Sequence, residues 1–201
     1  MDGFHYSNEI LKARGLLSKK GAPNTFDVEA FIALVKAIRS GGTIEFPTFD
    51  RTKDCVVKQG GRLPAQTQTV IVEGNYLLLD NKPWSDLVRL WDLTLLLDVA
   101  IPVLRQRLIA RWLDNGHDLD AARLRVSNND IPNAQTIIDH SCSADLVIKS
   151  SVCGARKRTI VCSLLEISAP KVSMSVRSCT QAALKFSVSL RASTGMLQAS
   201  I

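Results

Sequence analysis

Thr69-Val70-Ile71-Val72 is a short apolar run stopped abruptly by Glu73-Gly74, and it limits the folds open to this chain more than any other segment. An apolar run of this length with no alternation reads as a strand buried on both faces, as in a parallel sheet covered by helices. Leu93 to Val99 is a second such run, and Ala144-Asp145-Leu146-Val147-Ile148 reads as a last short strand. Between the runs lie helical segments. Asp27 is placed to cap a helix with apolar residues at Phe31, Leu34, Val35 and Ile38, ending at Gly41-Gly42. Pro102 suits the first turn of another, which passes Arg105, Arg107 and Arg111 and stops at Asn115-Gly116. Buried strands alternating with helices predict an α/β domain with a mainly parallel sheet.

Bulk properties narrow the function. The 201 residues are 46% hydrophobic and 22% charged, enough for one domain with a real core. No apolar run reaches the ~18 residues of a membrane span. Met1-Asp2-Gly3-Phe4-His5 has neither the basic nor the apolar part of a signal peptide, so a cytoplasmic protein is expected. Five cysteines without a C-x-x-C pair indicate neither a disulfide framework nor a zinc site. Residues 1–150 hold 18 Lys+Arg and 18 Asp+Glu. The net charge of +6 therefore comes from residues 151–201, with seven basic side chains against Glu166. A surplus confined to one tail, without interleaved aromatics, does not make a nucleic-acid platform.

Composition changes near residue 150, dividing the chain into a domain at 1–150 and a basic tail at 151–201 that is expected to pack poorly. Ten of the last 51 residues are serine. Ser173-Met174-Ser175-Val176 and Lys185-Phe186-Ser187-Val188-Ser189-Leu190 read either as alternating strands or as coding sequence translated out of frame.

Four segments place polar groups at the ends of apolar stretches, where open parallel sheets put their ligand crevice. In Asp2-Gly3-Phe4-His5-Tyr6, the carboxylate could take a hydroxyl proton or orient magnesium; a solvated turn is the plainer reading. In Val72-Glu73-Gly74-Asn75-Tyr76, the acid after a strand suits magnesium bound to phosphates, or simply ends the strand. In Phe46-Pro47-Thr48-Phe49-Asp50-Arg51, the Asp-Arg pair either binds a polar substrate or forms an ion pair. Arg107 and Arg111, four apart on a helix, suit phosphate oxygens or a solvated face.

Taken in order, Asp2-Gly3-Phe4-His5, Gly21-Ala22-Pro23-Asn24-Thr25-Phe26-Asp27, Pro47-Thr48-Phe49-Asp50-Arg51, Val72-Glu73-Gly74-Asn75-Tyr76-Leu77-Leu78-Leu79 and Asn129-Asp130-Ile131-Pro132-Asn133 resemble the phosphoribulokinase, uridine kinase and pantothenate kinase superfamily of P-loop kinases. The likeness covers residues 1 to about 150 and is strongest to its bacterial nucleoside/nucleotide kinase-like branch, which includes kinases linked to fructose transport. It implies a P-loop NTPase-like parallel sheet flanked by helices. It also implies transfer of a phosphoryl group from ATP, with Mg²⁺, to the hydroxyl of a nucleoside, sugar or pantothenate-like alcohol. Asp2 would then be the base or a magnesium-orienting acid, and Glu73 a second magnesium group. His5, Tyr6, Asp50 and Arg51 would face the small-molecule acceptor, and Arg107, Arg111 and Asn133 the nucleotide phosphates.

One part of the family pattern is missing. No G-x-x-x-x-G-K-[ST] occurs in the 201 residues, so the backbone cradle, the phosphate-binding lysine and the magnesium-binding hydroxyl are absent from them. The strand preceding that loop would lie mid-sheet, between the runs at Val70–Val72 and Leu93–Leu97, and both should show unpaired edges without it. The expectation from sequence is a kinase-family chain lacking its first strand and Walker A loop, inactive as it stands. Three readings stay open: a small-molecule kinase of this superfamily, a non-catalytic remnant, or a binding module that keeps the acceptor pocket. Nothing in the sequence indicates an oligomeric state.

Overall fold

In the computed structural model, residues 1–150 and the strands at 173–178, 186–192 and 195–196 are described. The best-defined piece of the core grows from helix α2, Val28–Ser40. Asp27 caps it, its carboxylate accepting from the Ala30 amide at 3.0 Å, and Gly41 ends it with φ +81°, a conformation that favours glycine. Val28, Phe31, Ile32 and Val35 are buried along one face, as the helical spacing requires. Leu34 packs at the margin of the same cluster.

Against this face lies an aromatic group supplied by distant segments. Phe4 meets Phe31 edge-on at 5.1 Å, Phe26 meets Tyr76 at 5.9 Å, and Tyr76 meets Trp84 at 5.5 Å. These separations and tilts suit the ring quadrupoles. Tyr76 is fully buried, and its hydroxyl donates to the Gly21 carbonyl at 2.6 Å, so its polar end is satisfied. Leu79 and Leu87 complete the cluster.

The strands divide into separate ladders. β1 (Ile44–Asp50) and β2 (Cys55–Leu63) form an antiparallel hairpin, with an irregularity between Phe46 and Thr48 where Pro47 has no amide to give. β3 (Leu95–Asp98) and β4 (Leu146–Lys149) pair in parallel, Leu95 opposite Leu146 and Asp98 opposite Lys149. Thr94 and Asp145 pin the start of this pair: the Thr94 amide and hydroxyl donate to the Asp145 carboxylate at 2.8 and 2.6 Å.

The connection between β3 and β4 is helical, as parallel pairing demands. α3 (Ile101–Asp114) has Pro102 in its first turn and stops before Asn115-Gly116. α4 (Leu119–Arg125), capped by Asp118, runs into a π-helical stretch, Val126–Asp130, and then α5, Ile131–His140. A short α1, Asn8–Ala13, follows the N-terminal turn. This is the α/β arrangement expected, with helices around a parallel pair.

Three sequence expectations need correction. Thr69–Val72 is not a strand: it has no ladder partner among the described residues, and Val70, Ile71 and Val72 are only half-buried. The run at 93–99 narrows to β3, whose leucines are half-buried rather than sealed on both faces, and Leu93 is 53% exposed. Both effects share a physical cause, since β3 has only β4 beside it among the described residues. The last strand starts two residues later than expected, at Leu146.

The hairpin strand β2 is an element the sequence did not announce, because Lys58-Gln59-Gly60-Gly61-Arg62 lacks strand character. In the tail, β5 (Ser173–Ser178) and β6 (Phe186–Ala192) pair antiparallel, and β7 (Gly195–Met196) pairs with β6. The two alternating runs coincide with β5 and, from Phe186, with β6. The expected poor packing of 151–201 as a whole lies outside the described residues.

Replacing Leu87 by Ala should lower stability by about 2–5 kcal/mol, because Leu87 is fully buried beneath the aromatic group. Urea unfolding checks this. A loss below ~1 kcal/mol would show that the cluster does not organise the domain.

Candidate functional site

The N-terminal turn Asp2–Phe4 is a single 3₁₀ turn, anchored by Phe4 in the core. Gly3 lies directly on the Pro47 carbonyl of β1, where any Cβ would collide with backbone. This close approach sets the Asp2 carboxylate beside the β1–β2 turn, and Arg51 Nη2 donates to Asp2 Oδ2 at 2.7 Å. His5 follows: its Nδ1 lies 2.8 Å from the Asp2 carbonyl, and its ring lies between Phe26 at 4.1 Å and Phe49 at 5.1 Å. Asp2, His5 and Arg51, expected to act together, therefore form one group.

Asp50 and Tyr6 take other tasks. Asp50 Oδ1 accepts from the amides of Thr52 and Lys53 at 3.0 and 3.1 Å, closing the hairpin turn. The ion pair to Arg51 thus comes from Asp2 rather than from the neighbouring Asp50. Tyr6 carries the Arg14 guanidinium 4.2 Å over its ring, and its amide donates to the Thr25 carbonyl.

Beside this group is a polar assembly that the sequence did not reveal. Lys20 Nζ donates to Asp54 Oδ1 at 2.8 Å and to Asn8 Oδ1 at 2.7 Å, and sits 5.1 Å over the Phe49 ring. Its side chain is 13% exposed, so the ammonium needs these partners. Burial pushes the Asp54 carboxyl up, but hydrogen bonds from Lys20 and Asn8 outweigh it and hold Asp54 below the usual carboxylate range. The residues lie 12 to 46 positions apart and follow no period. The one local signal is structural: Asp54 has φ +51°, uncommon for a residue other than glycine.

The Lys20 backbone is fixed in turn by the far helices. Arg125 Nη2 and Asn129 Nδ2 both donate to the Lys20 carbonyl, at 3.0 and 3.2 Å. The π-helical stretch supplies Asn129, and π turns inside helices often mark functional positions. Asn133 joins through Asn129, Nδ2 to Oδ1 at 3.5 Å.

The remaining expected residues lie apart from one another. Glu73 is exposed, and its carbonyl accepts from the Met1 amino group at 3.1 Å, which brings residues 1 and 73 side by side. Arg107 donates to Ser150 Oγ at 3.0 Å. Arg111 lies 3.9 Å from Asp130 Oδ2 and 5.3 Å over Trp112, whose indole also donates to Asp130 at 2.6 Å. Among the described residues no three His, Cys, Asp or Glu side chains cluster as a metal cage. Magnesium is commonly held by one or two carboxylates with phosphates and water, and the only contact linking the segments of Asp2 and Glu73 among the described hydrogen bonds is the one from the Met1 amino group to the Glu73 carbonyl. Among the described residues no helix opens from a glycine-rich phosphate loop.

Known proteins resemble this chain over most of residues 1–150. The family model described as phosphoribulokinase / uridine kinase matches residues 12–155, a span that begins after Asp2, His5 and Tyr6. The uncharacterized protein YggC of Escherichia coli (strain K12) is 34% identical over 149 residues, 74% of this chain and 62% of that protein. A Schizosaccharomyces pombe protein provisionally named a uridine kinase is 34% identical over 160 residues, 74% of this chain and 67% of its own length. A Silicibacter sp. TM1040 crystal structure, provisionally named a fructose transport system kinase, superposes with a TM-score of 0.72 at 42% identity, covering 74% of this chain and 72% of that one. The chain thus spans under two thirds of the length of YggC.

His5 gives the site a pH signature. Burial lowers its proton affinity, an effect partly offset by the hydrogen bond to the Asp2 carbonyl, so it titrates below the ordinary 6.5. Below 6.5 the unfolded chain takes up a proton that folded His5 resists. The unfolded state then binds more protons, and stability falls as pH drops from 6.5 toward the lowered value. Urea midpoints at pH ~7.5 and ~5.5 should show this fall in the natural protein and a smaller one in His5→Asn. An equal fall in both would assign the acid sensitivity to other groups.

Proposed function

Because this chain belongs to the phosphoribulokinase / uridine kinase family of P-loop kinases, we propose that residues 1–150 build the acceptor side of a small-molecule phosphotransferase. The observation that carries the reading is the Asp2–Arg51 pair at 2.7 Å, held beside His5 by the close packing of Gly3 on Pro47. Such a pair on an exposed face contributes only ~0–1 kcal/mol to stability. Its value is chemical: a carboxylate oriented by a guanidinium, ready to receive an acceptor hydroxyl.

In this reading Asp2 orients the hydroxyl and takes its proton as the phosphoryl group arrives. His5, Tyr6 and Arg51 shape the acceptor pocket, and Asp50 fixes the turn that carries Arg51. The acceptor is a nucleoside, a sugar or a pantothenate-like alcohol. Glu73, next to Met1, assists Asp2 in holding magnesium. Arg107, Arg111 and Asn133 serve the nucleotide side. ATP with Mg²⁺ supplies the phosphoryl group and neutralises charge, the main needs of this chemistry.

A second reading, acceptor binding without nucleotide, has its own support. The 201 residues contain no G-x-x-x-x-G-K-[ST], so the backbone N–H groups that would cradle a triphosphate are not supplied by them. We therefore expect these residues alone to bind an acceptor and not ATP.

Isothermal titration of the 201-residue chain with Mg-ATP should give no binding heat at millimolar nucleotide. Uridine or pantothenate should raise its melting temperature in a concentration-dependent way if either is an acceptor. Saturable binding of Mg-ATP would overturn the view that the triphosphate has no seat here. A nucleotide ordered beside Glu73 would do the same.

A further inference from the structure

β2 is the longest strand among the described residues, and its outer side is open. It has β1 as its one ladder neighbour, and no backbone hydrogen bond ties it to any other segment among the described residues. Such an edge presents a row of amides and carbonyls that can pair with a further strand. Val57, Lys58, Gln59 and Arg62 stand exposed along it. β1, by contrast, carries the N-terminal turn, where Gly3 meets the Pro47 carbonyl.

The side-chain pattern of β2 is compatible with its own copy in one register. Side chains alternate between the two faces of a strand, so two identical antiparallel strands related by a two-fold axis pair only where one residue stands opposite itself. Placing Gln59, the middle residue, at the axis pairs all nine positions of the strand. Lys58 then faces Gly60, Val57 faces Gly61, and Arg62 faces Val56. The symmetric registers on either side are blocked by charge. An axis at Lys58 sets that lysine against itself, and an axis at Gly60 sets Lys58 against Arg62. Like charges directly opposite are destabilising, so the two basic residues exclude the slipped registers and leave the full one.

Apolar contacts favour the same register. The Phe46 ring of β1 lies where a Cβ on Gly61 would be, and the ring is only half-buried. Opposite residues of an antiparallel pair share a face, which brings Val57 of a second copy against this ring. Val57 is 42% exposed in the single chain. Aromatic and β-branched side chains are favourable cross-strand partners, and an aromatic ring laid over a strand glycine strengthens a sheet.

We propose that the chain associates with a second copy of itself, β2 against β2 in antiparallel pairing, with the two-fold axis at Gln59. The two hairpins then make one four-stranded sheet across the dimer. The proposal makes no use of the phosphotransfer reading and stands or falls apart from it.

Sedimentation of the 201-residue chain tests the association. Its weight-average mass should rise toward twice that of one chain across the micromolar range. Gln59→Lys sets two like charges at the axis and should hold the mass at one chain. A natural protein that stays monomeric throughout overturns the proposal, and so does an undiminished dimer from a folded Gln59→Lys protein. Oxidative cross-linking gives an arm that does not depend on losing the dimer. Gln59→Cys places two thiols opposite each other, with Cβ atoms ~4.5–5.5 Å apart, and should yield a disulfide-linked dimer. Val57→Cys sets its two thiols roughly 13 Å apart along the strands, beyond disulfide reach, and should cross-link no more than the natural protein. Equal yields from the two variants, or no covalent dimer from Gln59→Cys, would remove β2 as the interface.

Discussion

The close approach of Gly3 to the Pro47 carbonyl is the constraint on which the edge formed by Asp2, His5 and Arg51 depends. A methyl group there would push the N-terminal turn off β1. The Asp2 carboxylate would then lose Arg51, and His5 would shift from its place between Phe26 and Phe49. Pro47 serves the same junction, because the missing amide relaxes the hairpin register at the point of contact. Phe4, one residue on, ties the turn to Phe31 and so to α2. Position and stability come from the same three residues. The chemistry of Asp2 is thereby set by packing rather than by a flexible terminus.

Charge is arranged around this edge in two layers. The outer Asp2–Arg51 pair is open to water. The inner Lys20–Asp54 pair, with Asn8, is satisfied within the protein. It stiffens the wall that the outer pair stands on. Arg125 and Asn129 extend the wall across the domain by holding the Lys20 carbonyl, so residues more than 100 positions away in sequence support the segment around Lys20. A shift of the π-helical stretch would reach Lys20 through the Asn129 hydrogen bond to its carbonyl.

The strand ladders are less complete than the helices. β3 and β4 form a parallel pair with half-buried leucines, and the run at Thr69–Val72 has no ladder partner among the described residues. A parallel sheet draws its stability from strands covered on both faces and paired on both sides. The aromatic cluster around Tyr76 and Trp84 therefore carries most of the order near the site.

Local chemistry was legible in the sequence wherever neighbours along the chain settle the outcome. Asp27 and Gly41 bound α2, Pro102 opens α3, and Phe31 and Val35 face inward, because caps, ring constraints and a 3.6-residue period act over a few positions. The ordered motifs also marked Asp2, His5 and Arg51 as site residues. Tertiary structure alone decided that Arg51 turns to Asp2 while Asp50 closes a turn, and that Lys20 is buried against Asp54 and Asn8. It also decided that an apolar run with ideal strand composition remains unpaired. Each of these outcomes depends on which distant backbone comes within about 3 Å, and a ladder or an ion pair needs a partner that no local pattern can supply.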